Sequence, residues 1–200
     1  MKLVDLTGIA TIDLPIAEFR SHLRLGTGFA DDALQDPILE AALRASVAAI
    51  EARTGKVLFE RPFRWIVSAW RSPSVQALPV APVTAVTSVA LVSRAGDVTA
   101  ANPADVVLEQ DLHRPLLHAA VSCLPMIPVN GTAEVTFLAG FSPVWAGMPA
   151  DLAQAVMLLA AHFYEVRHED GGPDGNMPYG VSGLIERYRT VRILGGGVLL

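Results

Sequence analysis

At 200 residues the chain has the length of one ordinary domain, or of one domain carrying an insertion. Its 15 basic and 20 acidic side chains leave a net charge of −5. That balance argues against a generic nucleic-acid binder, which needs a basic excess, but not against a wall that DNA merely passes. A single cysteine, Cys123, excludes an intramolecular disulfide and a multi-cysteine metal site. The opening MKLVDLTGIATID lacks the apolar core and small-residue cleavage site of a signal peptide. The longest apolar run, Leu152 to Tyr164, is broken by Gln154 and His162 and is too short to span a bilayer.

The N-terminal third reads as helical. Pro15 suits a first helical turn, and Ile16, Phe19 and Leu23 recur at three- and four-residue steps. After the loop GTGFADDALQ, Asp36 and Pro37 form an N-cap and N1 pair. Ile38, Ala42, Ala45 and Ala49 make one stripe, flanked by Leu39, Leu43, Ser46 and Ile50; its alanines imply close helix–helix approach. Gly55 stands where a C′ glycine ends a helix.

The middle, Lys56 to Pro143, is rich in proline and in short β-branched runs. These predict strands over Phe63–Ser68, Val83–Ser93, Val106–Glu109, Arg114–Leu117 and Thr132–Ala139, an antiparallel β insert. Ala95-Gly96-Asp97 and Val129-Asn130-Gly131-Thr132 carry hairpin-turn signals, and the prolines point to edge strands and irregular connections. The last third returns to helix over Asp151–Arg167. Pro149 stands at its start, and Asp151 lies in the first turn, where the helix dipole favours a carboxylate. Leu152, Ala155, Val156, Leu159, Ala160 and Phe163 form one face; Ala153, Met157, Ala161 and Tyr164 form another. A helix apolar on so many faces must be covered on them. GGPDGNMP breaks the helix, and PYGVSGLIERYRTVRI then leads to an apolar end, Gly195 to Leu200.

Little in the chain points to catalysis. No phosphate-binding loop, G-x-S-x-G or H-E-x-x-H occurs, and Gly195-Gly196-Gly197 lacks the strand and helix of a dinucleotide site. Cys123 with His113 or His118 is a conceivable nucleophile and base, but a small apolar residue in a proline-rich segment explains Cys123 as well. His162 and Glu165 share a helical face without a visible third ligand, and His162 alone fits a hydrogen-bonded core or interface histidine. Asp31, Asp32 and Asp36 match a calcium loop only loosely. The expectation is therefore a non-enzyme with no metal or cofactor. Arg187, Arg189 and Arg192 interleave with Leu184, Ile185, Tyr188 and Ile193. This pattern fits either a terminal helix lying on its own domain or an anchor for another subunit.

Several ordered segments together resemble the head–tail connector, or adaptor, proteins of tailed phages, especially the adaptor of phage-like gene transfer agents. They are Phe19-x-x-His22-Leu23-Arg24-Leu25, Ile50-Glu51-x-x-Thr54-Gly55-x-x-Leu58, Leu78-Pro79-x-x-Pro82-Val83-x-x-Val86-x-Ser88-Val89 and Phe137-x-Ala139-Gly140-Phe141. Further on come Pro149-x-x-Leu152, Ala161-His162-Phe163-Tyr164-Glu165-x-Arg167 and Pro178-x-Gly180-Val181-x-x-Leu184-Ile185-x-x-Tyr188-Arg189. The Gly195–Leu200 extension has no match, and Asp105 to Pro128 aligns poorly.

The resemblance implies a helical core with a β insert and a ring of about twelve copies under the portal protein. Its neighbours would be other adaptor subunits and the next tail-proximal connector, or stopper, with DNA passing through without sequence-specific binding and no membrane involved. The particle neck, assembled in the bacterial cytoplasm, would be its location. The expected fold is α+β, mainly α: helices over 1–55, a β insert over 56–143, a core helix over 149–168, and a flexible break with an extended docking tail over 169–200. Tyr179, Gly180, Leu184, Tyr188, Arg189, Arg192, Ile193, Leu199 and Leu200 are the candidate portal-docking residues. Met157, Ala161 and Tyr164 are the candidate contacts between subunits. The alternatives are a small cytosolic enzyme using Cys123 or His162, and a monomeric ligand-binding domain.

Overall fold

The computed structural model describes residues 1–24, 35–166 and 177–189. Among these, the elements run in the order β1 (Lys2–Asp5), α1 (Ile16–His22), α2 (Asp36–Thr54), β2 (Arg61–Val67), β3 (Val75–Ala77), β4 (Val83–Val92), β5 (Val98–Ala100), β6 (Val106–Glu109), β7 (Leu116–Ala119), β8 (Thr132–Ala139), α3 (Ala150–Val166) and α4 (Tyr179–Ile185). A short 3-10 turn, Glu186–Tyr188, continues α4.

The fold is not mainly helical: the described residues are 37% helix and 28% strand, with two antiparallel sheets. A five-stranded sheet runs β1-β2-β8-β4-β5 and a three-stranded sheet runs β3-β7-β6. The middle segment is thus a folded half with its own core, in which Trp65, Phe63, Phe137, Val135 and Leu117 are buried. The expectation fell short because three short strands carry almost no local signal. β1 has four residues, and β3 and β5 three each. They are strands because of what they pair with; β1 finds β2 some sixty positions away, with Leu3 opposite Trp65 and Asp5 opposite Phe63.

Strong periodicity located the helices. α2 buries Leu39, Leu43, Val47 and Ile50 on one stripe, with Ala42 and Ser46 beside it. Gly55 closes it in the left-handed conformation at φ 69°, its N–H donating to Glu51 O at 2.8 Å. α3 buries Leu152, Ala155, Val156, Met157, Leu159 and Ala160 and packs against both α2 and α4. With Phe19, Leu58, Phe59, Val181, Ile185 and Tyr188 they form the second core.

The seam between halves is the segment Lys56–Glu60, held by backbone hydrogen bonds from Val57 to Ala81 O, Glu60 to Ser142 O and Phe141 to Leu58 O. Gly140 makes the crossing possible. Its φ is +142°, and a Cβ there would lie 2.3 Å from the Glu60 backbone.

One turn reading and one edge-strand reading change meaning in three dimensions. Asn130 does turn, with φ 56°, but the flanking strands β7 and β8 belong to different sheets, so Val129–Thr132 is not a hairpin. Pro62 lies in β2, which is flanked on both sides and is no edge strand. It is tolerated because it sits past the end of β1, where its carbonyl accepts from Leu6 N at 3.0 Å and no N–H is needed.

Candidate functional site

The helical half ends in a latch. Tyr188 is 2% exposed and packs edge-on against Phe141, with ring centroids 5.6 Å apart. Its hydroxyl donates to Asp151 Oδ1 at 2.8 Å. Arg187 reaches the other oxygen of the same carboxylate, Nε to Oδ2 at 2.8 Å, and lies 4.6 Å over the Tyr188 ring. Burial, with the hydrogen bond to Asp151, raises the Tyr188 pKa despite the opposing contact with Arg187. Asp151 therefore serves twice: it sits at the positive end of α3 and ties down the chain after α4.

This arrangement places the candidate docking residues. Tyr188 is spent inside its own domain, as are Val181 and Ile185, which are fully buried. The segment Tyr179–Tyr188 is a terminal helix and turn lying on its own core. Tyr179 is 93% exposed, Gly180 and Arg189 are exposed and Leu184 is half-buried. Arg189 pairs with Glu186 at 3.0 Å. Arg192, Ile193, Leu199 and Leu200 lie outside the described residues.

Of the candidate subunit contacts, Met157 is buried in the helical core and cannot face a neighbour. A charge placed there would disrupt folding and not assembly alone. Ala161 and Tyr164 are half-buried near the end of α3, where the Tyr164 hydroxyl lies 3.4 Å from Gln35 Oε1.

A second polar cluster was not apparent from sequence. Arg61 donates to both oxygens of Glu51, at 3.0 and 2.9 Å, to Asp5 Oδ2 at 2.6 Å and to Phe59 O at 3.1 Å. Glu51 also accepts from Leu58 N at 2.8 Å. One guanidinium thus ties β1 and β2 of the β half to α2 of the helical half. Burial alone would raise the Asp5 pKa. Hydrogen bonds from Arg61 and from the Gly8 and Thr7 backbone outweigh it and hold the carboxyl below its ordinary range. No spacing rule links positions 5, 51 and 61; the β1–β2 register brings Asp5 to Arg61, and the seam after α2 brings Glu51.

The residues considered for catalysis are not assembled. Cys123 is exposed, with Ser122 Oγ 3.9 Å from its sulfur. His118 Nε2 is 2.6 Å from Glu109 Oε2, a cross-strand pair between β6 and β7. His162 is half-buried beside Phe163, with ring centroids 6.1 Å apart. Among the described residues no group of three or more His, Cys, Asp or Glu side chains could hold a metal ion. No described helix is long and apolar enough to cross a membrane. Asp31 and Asp32 lie outside the described residues.

No family model and no curated protein matches the chain. Solved structures do. A chain in the neck of an empty gene transfer agent particle, computed with C6 symmetry, superposes with a TM-score of 0.90 at 52% identity, covering 98% of this chain and 99% of that one. A chain in the virion of a native gene transfer agent particle gives a TM-score of 0.86 at 50% identity over the same shares. A third, from the neck of the native particle computed with C12 symmetry, gives 0.85 at 46% identity, again over 98% and 99%. The class is therefore that of structural subunits built into the neck of a phage-like particle. Within it, the chain belongs to the head–tail neck proteins of gene transfer agents.

Proposed function

We infer that the chain is a structural head–tail adaptor that works as a ring of identical copies in the neck of a gene transfer agent particle. The observation that carries this is the near-full-length match, at 46–52% identity, to chains of such particles. Two of the matched necks were computed with cyclic symmetry. A cyclic ring needs two different complementary patches on each subunit, and half-buried apolar positions such as Ala161 and Tyr164 suit one of them.

In this reading the ring sits under the portal and meets the next tail-proximal connector on its other side. It lines part of the path that DNA takes, and its net charge of −5 lets DNA slide instead of sticking. The role is structural and not catalytic. The chain after Arg189, including Arg192, Ile193, Leu199 and Leu200, is the portal anchor. Tyr179, Gly180 and Arg189 form its exposed base, with Leu184 half-buried beneath them. The latch at Asp151, Arg187 and Tyr188 fixes where that anchor leaves the domain. A docking deletion must therefore begin after Arg189; one beginning at 177 would strip Val181, Ile185 and Tyr188 from the core.

The test is deletion of the chain from particle-producing cells. DNA-filled heads without tails should accumulate, and a plasmid copy should restore tailed particles. Tailed, DNA-delivering particles made without the chain would overturn the reading.

A further inference from the structure

The chain leaves the described residues beside a groove that neither core fills. Tyr188 packs edge-on against Phe141, and Arg189 follows with extended backbone, φ −66° and ψ 132°. Phe141 is also a wall of that groove, which lies at the seam with Pro82, Val83 and Leu112 as its other apolar walls. Its volume is 320 Å³. Gln110 braces it, Nε2 donating to Thr84 O at 2.7 Å. Leu112 stays 42% exposed although it lines this apolar surface.

Charge does not select the occupant. Asp111 is the one charged side chain among the described residues lining the groove, and buried Lys56 lies within its electrostatic reach. Asp111 Oδ1 already accepts from the backbone N–H groups of His113, at 2.7 Å, and Arg114. A mostly apolar groove of this kind takes an aliphatic segment. The sequence after Arg189 is Thr190-Val191-Arg192-Ile193-Leu194, and then three glycines. In extended backbone side chains alternate, so Val191 and Ile193 share one face and Arg192 takes the other. The stretch Thr190–Leu194 spans about 16 Å. A segment tethered this close to the groove meets it at an effective concentration of about millimolar. In a dilute free subunit that favours the groove of its own chain over that of a second copy.

We propose that in the free subunit Val191 and Ile193 lie in this groove of their own chain, parking the segment after Arg189 across the seam until the portal takes it. The inference rests on the anchor reading above and adds a competition to it. The portal must displace the parked segment, so its apparent affinity is scaled by the fraction of subunits whose segment is free. The flexible Gly195–Gly197 run lets Val198, Leu199 and Leu200 reach past the groove for the first contact.

The test uses the full chain with Cys123→Ser, Leu112→Cys and Ile193→Cys, oxidised in dilute solution. Leu112 is exposed and Ile193 lies beyond the last described residue, so the reduced variant should melt with the wild type. Val98→Cys with Ile193→Cys, again with Cys123→Ser, is the control. Val98 is 68% exposed and pairs with Val92, about 30 Å along β4 from Val83. A disulfide within single chains, formed about tenfold faster than in the control or more, supports the proposal. Oxidised subunits should then bind DNA-filled heads from cells lacking the chain several-fold more weakly than reduced ones. Cross-linking no faster than the control would overturn the proposal. So would disulfides formed only between copies, which would assign the segment to a neighbour. Deleting residues 190–200 tests the portal reading separately, because it should leave the chain unable to join heads. If it does, equal binding by oxidised and reduced subunits would also overturn the proposed competition. If the deleted chain still joins heads while the own-chain disulfide forms, the portal reading fails and the groove assignment stands.

Discussion

The two halves of this chain are built in opposite ways. The β core comes from one continuous stretch, Val57 to Ala139, with β1 added at its edge. The helical core is assembled from the two ends of the chain, Leu14–Phe59 and Met148–Tyr188. Closing it therefore requires the β half to bring residues 59 and 148 together, which the bonds across Lys56–Glu60 and Gly140–Ser142 accomplish. The halves also differ in what they leave uncovered. In the helical half a latch holds Tyr188 beside Phe141 near the seam, whereas the far end of the β half exposes Val121, Met126 and Val129.

The largest effects should come from emptying each core. Phe137→Ala in the β core should cost about 3–5 kcal/mol, and Leu152→Ala in the helical core about 2–5 kcal/mol. If the helical half depends on the β half, Phe137→Ala should lower one shared transition. Leu152→Ala should instead loosen the helices while Trp65, buried in the β core, keeps its native near-UV signal. Two separate transitions in the Phe137 variant would break the proposed dependence.

Next in size is the seam. Arg61→Ala leaves Glu51 and Asp5 without their shared cation and should cost about 1.5–3 kcal/mol, the range for hydrogen bonds to charged groups in a partly buried cluster. The pH dependence sharpens this. The folded Asp5 pKa is lowered, so its contribution is present above the ordinary carboxylate pKa of about 3.9 and fades as pH falls through the lower folded value. Denaturant midpoints should drop through that acid window in the wild type and less steeply in Arg61→Ala.

The latch should matter less. Tyr188→Phe keeps the ring packing and removes the bond to Asp151, at about 1 kcal/mol. Amide exchange should quicken in α4 and stay unchanged in the sheets. Because the Tyr188 pKa is raised, the folded phenol favours its neutral form. That contribution is complete below the ordinary phenol pKa of about 10 and is lost as pH rises through the higher folded value. Alkali should therefore loosen α4 in the wild type before the β half responds.

Smallest in stability, yet informative, is Ala161→Glu. Ala161 is half-buried against the helical core near the end of α3, so the variant should cost at most about 1 kcal/mol while reducing ring formation measured by mass. Normal rings from a normally stable variant would remove this part of α3 from the subunit contact.

The long helices and strands were legible because apolar periodicity over eight or more residues has few alternatives. α3 spans Ala150–Val166 against an expected Asp151–Arg167, and β8 matches its expected range. What escaped notice is set by pairing across the chain. β1 needs β2, Arg61 needs both Asp5 and Glu51, and Tyr188 needs an aspartate at the far end of another helix. Alternating arginine, tyrosine and aliphatic residues after Tyr179 fit both a docked helix and a free anchor. Only the burial of Val181, Ile185 and Tyr188 separates that portion from the residues beyond it. Met157 was misjudged as outward because an almost uniformly apolar helix does not reveal which face meets its own domain.

The most direct measurement is an image of the particle neck at subunit resolution, from cells producing the particle with this chain. The account predicts a closed ring of this protein between head and tail, with the chain after Arg189 pointing to the head. A neck without the chain, or a ring whose chain after Arg189 points to the tail, would contradict it.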